Sequence, residues 1–127
     1  MAVSDSLIDK WIDTISLIPK LEMDPNALGD DVIITAEVCD DDQKFTTAMH
    51  AVYRALNQLI KQQVSTSDLE RNLADWKSFH FQSERTQGHP ADMRICFKHK
   101  DASTIRVRGF GFRHLPSDFY RRIYNRP

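Results

Sequence analysis

Between Ser78 and Arg108 apolar and polar side chains alternate through three successive runs, and a period of two commits that stretch to a β-meander with two unlike faces. Phe79 and Phe81 point one way and leave Ser78, His80 and Gln82 on the other. Met93, Ile95 and Phe97 alternate with Arg94, Cys96 and Lys98, and Ile105 and Val107 alternate with Arg106 and Arg108. One face is greasy and the other cationic. Gly88 and Pro90 place a loop after the first run, Asp101 to Ser103 make the turn after the second, and Gly109 and Gly111 mark a bulge or a close backbone approach.

A greasy sheet face needs helices to cover it, and the N-terminal half supplies apolar stripes at helical spacing. Leu7, Ile8, Trp11, Ile12, Ile15 and Ile18 form the first, with Ser4 or Ser6 as N-cap and an end near Pro19. Turn residues Pro25, Asn26 and Gly29 make Glu22 to Asp31 a linker, and the β-branched run Val32 to Val38 reads as a strand. After Asp40 to Asp42, one of which caps it, a second helix carries Phe45, Met49, Val52, Tyr53, Leu56, Leu59 and Ile60. Ser67 and Glu70 match the Ser-x-x-Glu capping box, which opens a short third helix with Leu69, Leu73 and Trp76 on one side and completes a helical hairpin. Ser117 or Asp118 caps a last helical turn over Tyr120 to Tyr124. The expected fold is α+β, an antiparallel-rich sheet with the hairpin on one face. Residues 1–30 add an N-terminal helix and linker, and residues 31–127 form the main domain. The helix must bury its stripe, either as a further layer on the helical side or as a homodimer contact.

With 127 residues, 41% hydrophobic and 28% charged, the chain has the make-up of one globular domain. No run nears the roughly 20 apolar residues of a membrane span, and the N-terminus puts acids where a secretory signal has lysines, so a cytoplasmic protein is expected. Cys39 and Cys96 suit neither a disulfide framework nor a four-ligand zinc site and read as buried hydrophobes. The net charge of -1 conceals an asymmetry: residues 1–70 hold 5 Lys+Arg against 13 Asp+Glu, a balance of -8, and residues 71–127 hold 12 against 5, a balance of +7. A basic half with aromatic residues between its arginines suits a polyanion such as RNA.

The cationic face offers His80, Arg94, Lys98, Arg106 and Arg108, joined by Arg113, His114, Tyr120 and Arg121 from beyond the last strand. It has no close acidic cluster for magnesium and no paired zinc ligands, so neither a metal nor another cofactor is expected. Histidine can move protons near neutral pH and arginine can hold a phosphate through two parallel hydrogen bonds, which together equip a site for metal-independent RNA cleavage.

The string Thr104 to Ile123 (TIRVRGFGFRHLPSDFYRRI), with its Gly-Phe-Arg-His followed by Asp-Phe-Tyr, the Arg in the second meander strand, and the order strand, two helices, meander resemble the RelE/ParE superfamily of bacterial toxins over about residues 31–124. The resemblance implies an endoribonuclease, an mRNA interferase acting on the ribosome, with RNA, the ribosome and a cognate antitoxin as partners. It implies His80 as base, Arg94 and Arg113 as stabilisers of the phosphorane, His114 as acid and Tyr120 as a stacking residue. Lys98, Arg106, Arg108 and Arg121 would bind RNA, and Glu84 is the substitute base if the register slips. The alternative is a noncatalytic protein of the same fold, a ParE-like gyrase inhibitor or an interaction module.

Overall fold

A computed structural model describes residues 2–62, 66–69 and 73–126, with nothing of the Ser67 side chain. Their elements run α1 (Asp5–Ser16), β1 (Leu21–Met23), α2 (Pro25–Cys39), α3 (Asp42–Ile60), β2 (Ser67–Asp68), β3 (Lys77–Phe81), β4 (Met93–His99), β5 (Ile105–Phe112) and α4 (Phe119–Ile123). The fold is α+β, with a mixed sheet in the order β1-β5-β4-β3-β2 in which only β1 and β5 run parallel. No helix among the described residues is long and apolar enough to cross a membrane.

The meander falls where the alternation puts it, but the segment before α3 differs from expectation. Residues 32–38 belong to helix α2, and the strand lies upstream at Leu21–Met23. Asp24 caps α2 by accepting from the Ala27 N–H at 3.0 Å, with Pro25 in the first turn, so the turn residues mark a helix start and not a linker. Leu28, Val32, Thr35 and Ala36 then recur at i, i+4, i+7 and i+8 as a buried stripe. Burial of that stripe outweighs the few tenths of a kcal/mol by which β-branching disfavours a helix at each position. The expected division at residue 31 accordingly falls inside α2.

Ser67 is likewise in a strand and not at a helix cap: β2 pairs with β3 through Ser67↔Ser78 and Asp68↔Lys77, while Glu70 lies outside the described residues. Leu69, Leu73 and Trp76 still share one apolar cluster. The helical hairpin is made instead by α2 and α3, the latter capped by Asp41, whose carboxylate accepts from the N–H groups of Gln43 at 2.7 Å and Lys44 at 3.0 Å. Phe45, Met49, Val52 and Leu56 of α3 pack with Met93, Ile95, Phe97, Ile105 and Val107 of the sheet. Trp11, Ile15 and Ile18 from the N-terminal stripe are buried in the same cluster, with Leu7, Ile8 and Ile12 partly buried against it. Each of the three fully buried side chains is worth at most about 1.5–3 kcal/mol of apolar burial.

β5 carries a bulge. Cys96 pairs with Gly109 and Phe97 with Val107, so Arg108 is the extra residue and the alternation changes phase, which puts Phe110 on the same side as Val107. Gly109 and Gly111 then face α4. A Cβ on Gly109 would lie 2.6 Å from Ile123 Cγ2, and one on Gly111, whose φ is 152°, would lie 2.7 Å from Arg122 Nη2. Through that close approach Phe119 and Ile123 seal Cys96 beneath them, together with Leu73 and Trp76. The face expected to be open is therefore covered across its middle. Cys96 is buried as expected, which pushes its thiol up to about 12, and Cys39 is half-buried, its thiol pushed up to about 11 by the same cause.

A short β1 leaves the outer edge of the second half of β5, the edge away from β4, without a neighbouring strand, because pairing stops at Met23↔Val107. Side chains replace the missing strand. Asp31, fully buried on α2, accepts from the Phe110 N–H at 2.9 Å; Arg122 donates to the Phe110 carbonyl at 3.0 Å and Arg126 to the Arg108 carbonyl at 3.2 Å. Arg126 also holds both Asp31 oxygens at 2.8 Å, and Arg122 reaches Oδ1 at 3.3 Å. Burial pushes the Asp31 carboxyl above the usual range against the pull of the two guanidiniums.

Candidate functional site

His80 on β3 stands opposite Arg94 on β4, which stands opposite Gly111 on β5. All three turn away from Ile95 and the helical core. Arg113 follows directly after β5, tied to the sheet by its N–H to the Asp92 carbonyl at 2.8 Å. The register thus brings an imidazole and two guanidiniums to one end of the sheet. Arg94 and Arg113 both bear on His80: partial burial first, then these two positive charges, hold its pKa below the ordinary imidazole value. Neutral His80 with an acceptor nitrogen is the form favoured at pH 7.

Each arginine is oriented by the chain around it. Arg94 Nη1 donates to the carbonyls of Ala91 and Met93, both at 2.9 Å, while its buried Nε meets no acceptor among the described residues. Arg113 pairs with Asp118 and lies over the Tyr120 ring at 4.8 Å. Asp118 serves twice, since its other oxygen accepts from the Arg121 N–H at 3.0 Å and caps α4 as expected. Tyr120 is half-buried and shares a 2.5 Å hydrogen bond with Ser78 on β3. The hydroxyl is therefore fixed to the sheet while the ring supports Arg113. His114 is exposed on the 113–118 bend and makes no side-chain hydrogen bond among the described residues.

The remaining cations fall into a second group. Lys98 lies about 13 Å along β4 from Arg94 at strand rise, and α4 with Trp76 stands between the two ends. Lys98 Nζ sits 4.7 Å from the centroid of the Trp76 ring, and Arg106 is exposed in register with Lys98 and Glu22. Arg108 is only 9% exposed and its guanidinium is committed to the chain, Nε to the Ile123 carbonyl at 3.0 Å and Nη2 to that of Tyr124 at 2.7 Å, which completes the C-terminal end of α4. Arg121 is exposed on α4 beside a shallow cleft walled by Tyr120 and Tyr124. Glu84 is on the other side of the sheet: it lines a cleft with Cys39, Lys44 and Phe112 and does not join His80.

Sequence reasoning gave Ser78 no role at the site and gave Asp118 only that of a helix cap. Ser78 shares the His80 side of β3 by alternation, and Asp118 stands five residues after Arg113; neither signal says that Tyr120 will join Ser78 to Arg113 or that Asp118 will pair with Arg113. If the charges of Arg94 and Arg113 hold His80 neutral, its ring protons should titrate below about 6.5 by NMR. In Arg94→Ala the midpoint should rise toward that value; an unmoved midpoint would take Arg94 away from the imidazole.

Among the described residues no three His, Cys, Asp or Glu side chains converge as a metal site. No family model matches the sequence, and no match turned up among the curated proteins or the solved structures.

Proposed function

We propose that His80, Arg94, Arg113 and Tyr120 form the centre of a metal-independent endoribonuclease, an mRNA interferase of the RelE-like kind that acts on the ribosome and is restrained by an antitoxin protein. The observation that carries the reading is an exposed imidazole that stands opposite one guanidinium in the sheet register and feels the charge of a second. The order strand, two helices, meander, here β1, α2, α3 and β3 to β5 with the two-residue β2 between α3 and β3, supports it as well. In the reaction His80 takes the proton of a ribose 2′-OH, and the oxygen attacks the adjacent phosphorus. Arg94 and Arg113 hold the phosphorane oxygens, the P–O5′ bond breaks, and a 2′,3′-cyclic phosphate remains. The proton that the 5′-oxygen needs comes from His114, the imidazole next to Arg113. Lys98, Arg106 and Arg121 would meet flanking phosphates.

A second reading, a noncatalytic protein of RelE/ParE type, is favoured by the Arg113–Asp118 pair, which a phosphate must displace. The two separate when the protein is incubated in chelator with RNA and with translating ribosomes. Cleavage leaving 2′,3′-cyclic phosphate ends is expected; intact RNA on both substrates selects the noncatalytic reading.

A further inference from the structure

We propose that the cleft between α1 and α3 is a binding site for a small organic anion, a carboxylate or phosphate carried on a flat apolar body. This proposal is independent of the ribonuclease reading, because the cleft lies on the helical layer and shares no residue with His80 or its arginines.

The cleft is a wide-mouthed depression of about 490 Å³, a volume within the range of small-ligand sites. One wall is the stripe His50, Tyr53, Arg54 and Asn57 of α3, at i, i+3, i+4 and i+7; the other is Lys10 and Trp11 of α1. Its charge is the unexpected part. Residues 1–70 carry only 5 Lys+Arg against 13 Asp+Glu, yet two of those five, Lys10 and Arg54, and the one histidine of that half line this single cleft, and no carboxylate does. Asp9 and Asp13 lie on a neighbouring stripe of α1. Among the described residues neither Lys10 nor Arg54 makes an ion pair.

The floor supplies a second, independent pointer. Trp11 is 3% exposed, and among the described residues its buried indole N–H meets no acceptor, a condition that buried donors seldom keep in folded proteins. The exposed His50 ring and the indole meet in a T-shape, at 82° with centroids 4.9 Å apart. An anion drawn in between Lys10 and Arg54 would bring an oxygen to this wall, with His50 turning aside to admit it to the N–H. The indole and Tyr53 rings would pack the flat part. An ammonium that rests 6.0 Å from the centroid of the Trp11 ring and a guanidinium, neither ion-paired among the described residues, set the preference for a charged ligand over a neutral one of the same shape.

The test is a titration of the full chain with phenyl phosphate, followed by 1H–15N NMR at the indole N–H of Trp11, which Trp76→Phe assigns. Saturable displacement of that peak with a Kd on the order of millimolar or tighter is expected, as is a Kd at least about 10-fold weaker for benzyl alcohol. Lys10→Gln combined with Arg54→Gln should weaken phenyl phosphate at least about 10-fold, whereas Lys44→Gln combined with Lys61→Gln, which removes two exposed lysines from the same acidic half, should not. Non-saturating shifts, equal affinity for benzyl alcohol, or full affinity in the Lys10/Arg54 variant would each overturn the site.

Discussion

Replacing Asp31 by alanine should lower the unfolding free energy by about 3–5 kcal/mol, measured by urea denaturation, because it strips the partner from two buried guanidiniums and one buried N–H at once. Arg122 and Arg126 are 13% and 15% exposed at their side chains, so neither charge can turn out to water without moving α4 or the residues after it. The Phe110 N–H would be orphaned as well. Asp31→Asn keeps an acceptor for that N–H and should cost less. Buried ion clusters can often be exchanged for apolar side chains with little loss. Here that exchange should fail: in Asp31→Leu with Arg122→Met and Arg126→Met, the Phe110 N–H and the carbonyls of Phe110 and Arg108 would stand at an unpaired strand edge with no donor or acceptor. A triple variant as stable as the wild type would show that these side chains do not stand in for a strand.

That network also marks where the sequence stops being legible. The meander can be read because Phe79, Phe81, Met93, Ile95, Phe97, Ile105 and Val107 alternate with polar residues over short range, and each run ends in a turn. β1 cannot, since three residues carry no period and their pairing is with Ile105 to Val107, more than 80 positions away. The run Val32 to Val38 misleads because β-branching is a local preference of a few tenths of a kcal/mol per residue, and the i, i+4 burial of Leu28 and Val32 that outweighs it depends on a sheet not yet placed. Asp31 sits among acids that resemble a solvated linker until α2 carries it to the edge of β5. At the site, alternation is enough to align His80 with Arg94, and the glycines at 109 and 111 announce that something comes close. What comes close is α4, whose Phe119 and Ile123 need the apolar floor at Cys96; this divides the cationic face in two and turns Arg108 inward.

Arg94→Ala and Arg113→Ala should each lower single-turnover RNA cleavage by about 10²-fold, the scale on which one preorganised donor to a developing oxyanion acts. Melting temperature should change little for Arg94→Ala, whose Nη1 bonds run only to the adjacent Ala91 and Met93 carbonyls. It should fall modestly for Arg113→Ala, which leaves Asp118 and the Tyr120 face without their cation. Lysine at either position should restore only part of the rate, because a single ammonium cannot reproduce two parallel N–H bonds to a phosphate. The double variant should be slower than wild type by less than the product of the two single effects, since in the proposed reaction both guanidiniums act on the same phosphorane. A pH profile separates this from a loss of folding. Removing either positive charge lets the His80 pKa rise, so the limb of the rate profile that requires a neutral base should move to higher pH in both variants. Wild-type rates in both variants would remove the arginines from the reaction, and a slower rate with an unmoved limb would place the base elsewhere than His80.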